Sequence, residues 1–206
     1  MHPWFLILKL PPSEPVSDHR DHIAGMRGAV LAAAEGERVT PLEAGTAHSG
    51  LLIARFAFEE DLQACFEALS LPDGTVALAA AGLPYEGWPG DFVPTIATVD
   101  VPDAGAPRTY MVIEGTGTDQ DRMDRYRDII LPMMRERGSY YVLFELGGSV
   151  RVLAGQWSEG IFAISRWPSR AHAEDFWFAD RYQNVAIPLR TGAGRFDVQI
   201  VEGLAG

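Results

Sequence analysis

The chain is poor in residues that form crosslinks and poor in positive charge. Its 206 residues include one cysteine, Cys65, so neither an internal disulfide nor a cluster of cysteine ligands can form. Acidic residues outnumber lysine and arginine by 28 to 17, which gives a formal net charge of −11 at pH 7. A chain with this charge repels a phosphate backbone, so we expect no nucleic-acid partner.

Long apolar runs are also missing. No stretch approaches the roughly 20 apolar residues that a membrane-spanning helix needs. Residues 1–9 carry no basic stretch ahead of their apolar run, unlike a secretory signal. We therefore expect no membrane partner and a cytoplasmic location. The composition is typical of a globular protein, because 47% of the residues are apolar and 22% are charged.

The distribution of charge and two clusters of glycine and proline divide the chain into two parts. Residues 1–107 hold fifteen acidic and five basic residues, whereas residues 108–206 hold thirteen and twelve. Glycine and proline cluster at residues 82–90 and 101–107, and such clusters break helices and strands. The sequence therefore predicts a first domain over residues 1–82, a linker over 83–107 with a short strand at 95–100, and a second domain over 108–206.

The two parts show the same order of predicted elements. Each opens with an apolar strand, over residues 4–10 and 110–114, and continues into a helix, a strand pair and a second helix. In both parts an arginine followed by an aromatic residue precedes the second helix, at Arg55 and Arg166, an offset of 111 residues. The order β-α-β-β-α-β in each part is that of a ferredoxin-like unit, which predicts an internal repeat.

Helix starts can be placed from polar residues that precede the periodic apolar positions. Ser17 or Asp18 is predicted to cap the first helix, and Asp119 or Asp121 the corresponding helix of the second part. A sheet with both helices on one side leaves its other face uncovered. We expect the two sheets to cover each other face to face, as an internal pseudo-dimer, and further assembly into a homo-oligomer stays open.

An ordered series of short segments runs through residues 108–203. The segments are residues 110–114, Asp121, Tyr126, residues 138–143, 153–157 and 166–169, Ala171, Ala173, Tyr182-Gln183, Leu189-Arg190 and residues 200–203. This series resembles the DUF1330 family, whose members are small proteins of the dimeric α/β-barrel superfamily. The first part resembles the family only in the order of its elements.

The resemblance implies a fold more sharply than a function. It implies an α+β protein in which two tandem ferredoxin-like units pack their antiparallel sheets as an internal dimeric α/β-barrel. The wider superfamily includes cofactor-independent monooxygenases, polyketide cyclases, haem-binding enzymes and small-molecule stress proteins. One position departs from the family pattern, because Ala154 stands where the family commonly has a glutamate before Gly155. Chemistry that depends on that glutamate is therefore not expected here.

Aromatic residues with polar tips are concentrated in the second part. Such rings suit the wall of a largely apolar pocket, where a hydroxyl or indole N–H orients the ligand. Arg166 and Arg190 are candidates to face a ligand carboxylate or enolate. The predicted ligand-binding residues are Tyr126, Trp157, Arg166, Tyr182 and Arg190.

Few residues are candidates for acid–base or metal chemistry. His48 lies in a glycine-bounded turn and Glu114 on a predicted strand, and these two are the candidate titratable groups. His19 and His22 share a helical face, but this spacing alone is not a zinc motif, so no metal is expected. No motif for a cofactor is present.

Three classes of function remain open from the sequence. The first is a cofactor-independent enzyme acting on a small hydrophobic or aromatic compound. The second is a protein that binds such a compound without changing it. The third is a structural or self-association module without a ligand. The first two require a pocket, which we expect in the second part.

Overall fold

The computed structural model describes residues 2–12, 15–43, 50–83, 108–146 and 148–204. The predicted linker strand at 95–100 and most of the predicted linker lie outside these residues. In the first part the elements are β1 (Trp4–Leu10), α1 (Val16–Gly25), β2 (Ala29–Glu35), a 3₁₀ helix (Gly36–Arg38), β3 (Val39–Glu43), β4 (Gly50–Phe56), α2 (Glu59–Ala68) and β5 (Val76–Ala81).

The second part repeats this order with a longer first helix. Its elements are β6 (Thr109–Gly117), α3 (Gln120–Glu136), β7 (Tyr140–Leu146), β8 (Arg151–Ala154), β9 (Ile161–Trp167), α4 (Arg170–Trp177), a π-helical segment (Tyr182–Ala186), α5 (Ile187–Arg190) and β10 (Gly194–Glu202). Within the described ranges, no helix is long and apolar enough to span a membrane.

Within the described residues, the strands form two five-stranded antiparallel sheets that exchange one strand each. The first sheet has the order β2-β4-β1-β5-β8 and the second has the order β7-β9-β6-β10-β3. Strand β3 comes from the first part but pairs with β10, and β8 comes from the second part but pairs with β5. The α+β fold with two ferredoxin-like sheets is thus confirmed, but the prediction of four strands per part is wrong.

The fifth strand of each part escaped prediction because it is short and pairs away from its own part. Strand β3 has five residues, including Pro41, and β8 has four. Proline cannot donate to a ladder, so it is tolerated on an edge strand such as β3. Each exchanged strand covers an edge that would otherwise expose unpaired backbone groups.

Strand registers match between the two sheets. Ile53 of β4 lies opposite Ile7 in the first sheet, and Ile164 of β9 lies opposite Val112 in the second. The neighbouring edge strand carries a bulge at the same place in both sheets, at Leu31 and at residue 142. The matching positions of β4 and β9, and those of β2 and β7, are separated by 111 residues, as are Arg55 and Arg166.

The inner faces of the two sheets, which we define as the faces turned toward each other, share one apolar core. Phe5 and Ile7 of the first sheet pack there with Val112 and Ile164 of the second, all fully buried. The outer faces carry the helices and have separate cores. Because side chains alternate along a strand, the longer strands contribute both to the central core and to one outer core.

Helix capping differs between the two parts. Asp119 caps α3, and its side chain accepts a hydrogen bond from the Arg122 backbone N–H at 3.1 Å, as one of the two predicted alternatives. The prediction for α1 is wrong, because Pro15 occupies the N-cap and Ser17 and Asp18 lie inside the first turn. Proline fixes a backbone angle suited to this boundary, and the Val16 backbone N–H donates to the Glu35 carboxylate at 3.5 Å.

Candidate functional site

A cavity of about 590 Å³ lies between the outer face of the second sheet and the helices that cover it. Its wall is mostly apolar, which is typical of sites for small organic ligands. The lining residues include Met111, Ile113, Met123, Tyr126, Ile130, Met134, Tyr141, Ala163, Ser165, Trp167, Phe176, Trp177, Tyr182, Arg190, Phe196 and Val198.

Helix α3 supplies one wall because its apolar residues recur at helical spacing. Met123, Tyr126, Ile130 and Met134 lie three or four residues apart, so they project from one face. Methionine fills irregular space without a rigid shape, which lets this wall adapt to a ligand. The 17-residue length of α3 allows this face to cover the cavity from end to end.

The opposite wall comes from a π-helical segment that runs directly into α5. Tyr182 begins the π-helical segment and Arg190 ends α5, and both side chains are buried against the cavity. A π-helical turn inserts one extra residue and shifts the side chains that follow it, and such turns are frequent at functional sites. This local geometry brings Tyr182 opposite Tyr126 of α3.

Two tyrosine hydroxyls in the cavity wall are hydrogen-bonded to each other. The Tyr126 and Tyr182 hydroxyl oxygens are 2.9 Å apart, with one donating to the other. Burial raises the pKa of both phenols above the usual tyrosine range, so both are protonated near pH 7. A protonated pair satisfies one hydroxyl donor internally and leaves the other free to bond with a ligand oxygen.

Arg190 is enclosed by aromatic rings and by a carboxylate from the first part. Its guanidinium carbon lies 4.8 Å from the centroid of Phe196, 5.5 Å from that of Tyr126 and 5.7 Å from that of Trp177. Its Nη2 forms an ion pair with Glu43 at the end of the exchanged strand β3. Burial lowers the pKa of Arg190 to about 10, and an adjacent carboxylate acts in the opposite direction. Arg190 is therefore charged near pH 7.

Groups able to move protons are scarce on this wall. Among the described residues lining the cavity, Asp124 is the one carboxylate and there is no histidine. The Asp124 carboxylate accepts hydrogen bonds from Gln120 at 2.9 Å and from Arg127 at 3.0 Å, so it is held on the helix surface. The polar groups that the described wall presents are able to hold and orient a molecule.

The structure places three of the five predicted ligand-binding residues on the cavity wall and the other two elsewhere. Tyr126, Tyr182 and Arg190 line the cavity. Trp157 and Arg166 instead face the core between the sheets. Arg166 does so because side chains alternate along β9, and its neighbours Ser165 and Trp167 line the cavity. In the core between the sheets, Arg166 donates to the Tyr140 hydroxyl and lies over the Tyr140 ring.

Glu114 also lies on the inner face, where it joins the two sheets. Its carboxylate forms an ion pair with Lys9 of β1 and accepts a hydrogen bond from the Trp157 indole N–H at 2.7 Å. Asp197 is its cross-strand partner on β10, and burial together with the Glu114 charge raises the pKa of Asp197. Glu114 thus contacts neither the cavity nor the tyrosine pair.

The remaining candidate positions within the described residues are not among those that line the cavity. His48 lies outside the described residues, so its role stays a prediction. His19 is buried on α1, far in sequence from the cavity elements, and no group of three or more metal-ligating side chains occurs within the described ranges. Ala154, the position that departs from the family pattern, ends β8 and pairs with Ala77 in the first sheet.

One site residue was missed by sequence reasoning altogether. Glu43 reaches Arg190 only because β3 joins the second sheet, where Glu43 lies opposite Val198 of the cavity wall. No local pattern in residues 39–43 signals this pairing. The cavity methionines carried a signal, since Met123 and Met134 follow helical spacing, but such spacing is equally typical of a filled core.

The sequence of the second part matches a known protein family. Residues 108–204 match the family model described as Domain of unknown function (DUF1330). The second part is therefore the region of the chain that is similar to DUF1330 proteins. This confirms the resemblance drawn from the short segments of residues 108–203, and the match leaves residues 1–107 uncovered. The residues that line the cavity, apart from Leu83, all lie within the matched residues 108–204.

Two solved structures share the architecture of the whole chain. One is described as a "putative monooxygenase" from Lactobacillus acidophilus NCFM, with 9% identity and a TM-score of 0.52, covering 100% of this chain and 97% of that one. Another is a variant of chlorite dismutase from Candidatus Nitrospira defluvii, with 10% identity and a TM-score of 0.51, covering 98% and 90%. At such identities the likeness concerns the fold. No curated protein matches the chain.

Proposed function

We propose that this chain binds a small, largely apolar molecule with an aromatic ring in the cavity of its second part. The observation that carries the proposal is the cavity wall of methionine, aliphatic and aromatic side chains around about 590 Å³. This volume lies within the range of sites for small organic molecules. The tyrosine pair, at 2.9 Å between its oxygens, would orient a polar group of the ligand.

Binding is favoured over catalysis by the composition of the wall. Two buried neutral phenols and an ion-paired arginine can hold and orient a ligand, whereas the one lining carboxylate is engaged by Gln120 and Arg127. Monooxygenase and chlorite dismutase are activities of the proteins that share the fold, and they do not transfer through the fold alone. Tyr126, Tyr182 and Arg190 are the proposed ligand-binding residues.

The first part would then serve as scaffold within an internal pseudo-dimer. The matching strand order and register of the two sheets support two copies of one ferredoxin-like unit in tandem. The corresponding outer face of the first sheet is packed by aliphatic side chains such as Leu8, Leu52 and Leu62. We propose that only the second copy holds the ligand.

Isothermal titration calorimetry with 2-naphthol, a neutral aromatic hydroxyl compound, tests the proposal. Ala163 lies on the cavity wall, so Ala163→Phe would place a ring in the ligand's space and weaken binding by about tenfold or more. Ile164→Val is the matched control, because the neighbouring side chain faces the inner core and its variant should keep wild-type affinity.

A second variant tests the proposal if Ala163→Phe does not fold. Tyr182→Phe removes one hydroxyl and should weaken 2-naphthol binding by roughly three- to tenfold, the worth of one hydrogen bond. Naphthalene, which has no hydroxyl, should bind both forms equally. The proposal is wrong if the wild-type protein binds neither compound, or if Ala163→Phe folds and binds 2-naphthol as well as wild type.

A further inference from the structure

The charge of Arg190 is already compensated within the protein. Its Nη2 pairs with the Glu43 carboxylate, and three aromatic rings surround the guanidinium at 4.8 to 5.7 Å. The faces of aromatic rings are electron-rich and stabilise a cation. The arginine side chain is 4% exposed, whereas the glutamate is 37% exposed, so the pair spans from the buried wall to the surface.

A ligand carboxylate would disturb this arrangement. To reach Arg190 it would either displace Glu43 or lie beside it as a second negative charge. Two carboxylates at one cation repel each other, and an unpaired charge in an apolar cavity is costly. The ion pair therefore opposes the binding of anions, although an unpaired arginine in the same place would attract them.

The other polar groups of the wall favour an uncharged ligand oxygen. The Tyr126 and Tyr182 hydroxyls face each other across 2.9 Å and are neutral near pH 7. The Ser165 hydroxyl accepts a hydrogen bond from the Trp167 indole at 3.0 Å. Neutral hydroxyls bond well with a ligand hydroxyl or carbonyl and do not supply the compensating charge that a carboxylate requires.

We infer that Glu43 is a specificity-determining residue that makes the cavity select neutral aromatic hydroxyl or carbonyl compounds over aromatic carboxylates. This inference rests on the proposed binding function. It assigns a role in the cavity of the second part to a residue of the first part, because β3 crosses to the second sheet and places Glu43 opposite Val198. The first part thus contributes the charge that sets the ligand class.

Paired titrations of the full chain with 2-naphthol and 2-naphthoate at neutral pH test the inference. The two probes have the same ring system and differ in the charge of their polar group. Wild-type protein should bind 2-naphthol at least tenfold more tightly. Glu43→Gln should strengthen 2-naphthoate binding by about tenfold, because it frees the arginine charge, and should change 2-naphthol binding by less than about threefold.

Two further variants separate this role from a general effect of charge. Glu43→Asp keeps the carboxylate and should retain the preference for 2-naphthol. Asp124→Asn removes a negative charge at the cavity without touching Arg190, and its carboxylate is partly exposed and screened, so the ratio of affinities should change by less than about threefold.

The possible outcomes distinguish the two proposals. If wild type binds 2-naphthoate as tightly as 2-naphthol, or if a folded Glu43→Gln leaves the ratio unchanged, the role of Glu43 is overturned and the binding function stands. If wild type binds neither probe, the binding function fails and the inference fails with it. If Glu43→Gln does not fold, a wild-type protein that binds 2-naphthoate as tightly as 2-naphthol still overturns the inference.

Discussion

The outer faces of the two sheets have the same strand framework but different contents. Leu52 of β4 and Ala163 of β9 occupy matching register positions, opposite Leu8 and Ile113 respectively. In the first sheet such leucines pack directly against the ten-residue helices α1 and α2. In the second sheet a smaller side chain lies beneath the 17-residue α3, and a cavity remains. A modest change of side-chain volume on similar strand frameworks thus separates a filled core from a cavity.

The inner faces differ in a complementary way. Lys9 of β1 and Glu114 of β6 occupy matching register positions and carry opposite charges. The two side chains, 9% and 7% exposed, form an ion pair across the central core. Two identical units would place like charges together at this point. The difference between the parts is therefore what allows them to pack.

The largest expected effect comes from breaking this pair. Lys9→Met leaves the Glu114 charge buried without its cationic partner, so the free energy of unfolding should fall by about 3–5 kcal/mol. Urea denaturation measures the change. The double variant Lys9→Met/Glu114→Leu should recover most of the loss, because it removes both charges. A single variant that loses less than about 1 kcal/mol would contradict a structural role for the pair.

A smaller effect is expected from exchanging large and small side chains at matching positions of the two outer faces. Leu52→Ala should lower the free energy of unfolding by about 2–5 kcal/mol, because it opens a cavity in a filled core. Ala163→Leu is the matched variant, and it should change stability by less than about 1 kcal/mol because space for the added carbons exists. Chemical denaturation of both proteins tests the comparison, and equal losses would show that the two faces are packed alike.

The smallest effect concerns alkaline pH and arises in the second part, since residues 1–84 contain no tyrosine. Burial raises the pKa of Tyr182 above the usual value of 10, so the folded state keeps a proton that the unfolded state releases. This stabilisation is complete below pH 10 and is lost as the pH rises toward the folded value. The free energy of unfolding should therefore fall above pH 10, by at most about 1.4 kcal/mol per pH unit for this phenol.

Denaturation at several alkaline pH values measures this slope, and phenolate absorbance follows the ionisation itself. Tyr182→Phe is the control, because it removes one of the buried phenols and should reduce the slope. Ionisation of all six tyrosines near pH 10 while the protein remains folded would show that the tyrosines of the cavity are open to solvent.

Much of the fold follows from local sequence signals. The strand over residues 4–10 is β1, and Asp119 caps α3 as predicted, because a short acceptor before a periodic apolar run satisfies free N–H groups at a helix start. The offset of 111 residues between Arg55 and Arg166 reflects equal strand order and register. The boundaries of independent domains remain predictions, since each part supplies a strand to the other sheet.

Part of the site could be predicted from the sequence, and there is a physical reason why the rest could not. Alternation along β9 shows that Arg166 and Trp167 face opposite sides of a sheet, but both sides are buried here, so polarity does not reveal which side carries the helices. Arg166 was therefore assigned to the ligand wall, although it lies in the central core. Tyr126 and Tyr182 are 56 residues apart, and the π-helical segment decides that their hydroxyls meet.

The sequence by itself determined the order of the helices and strands apart from the fifth strand of each part, and the concentration of aromatic side chains in the second part. Those features depend on composition, periodicity and capping, which act over a few residues. The tertiary structure alone decided the exchange of β3 and β8, the contact of Glu43 with Arg190 and the meeting of Lys9 with Glu114. These pairings join residues more than 70 positions apart in the chain, and their energy depends on the partner that folding brings to them.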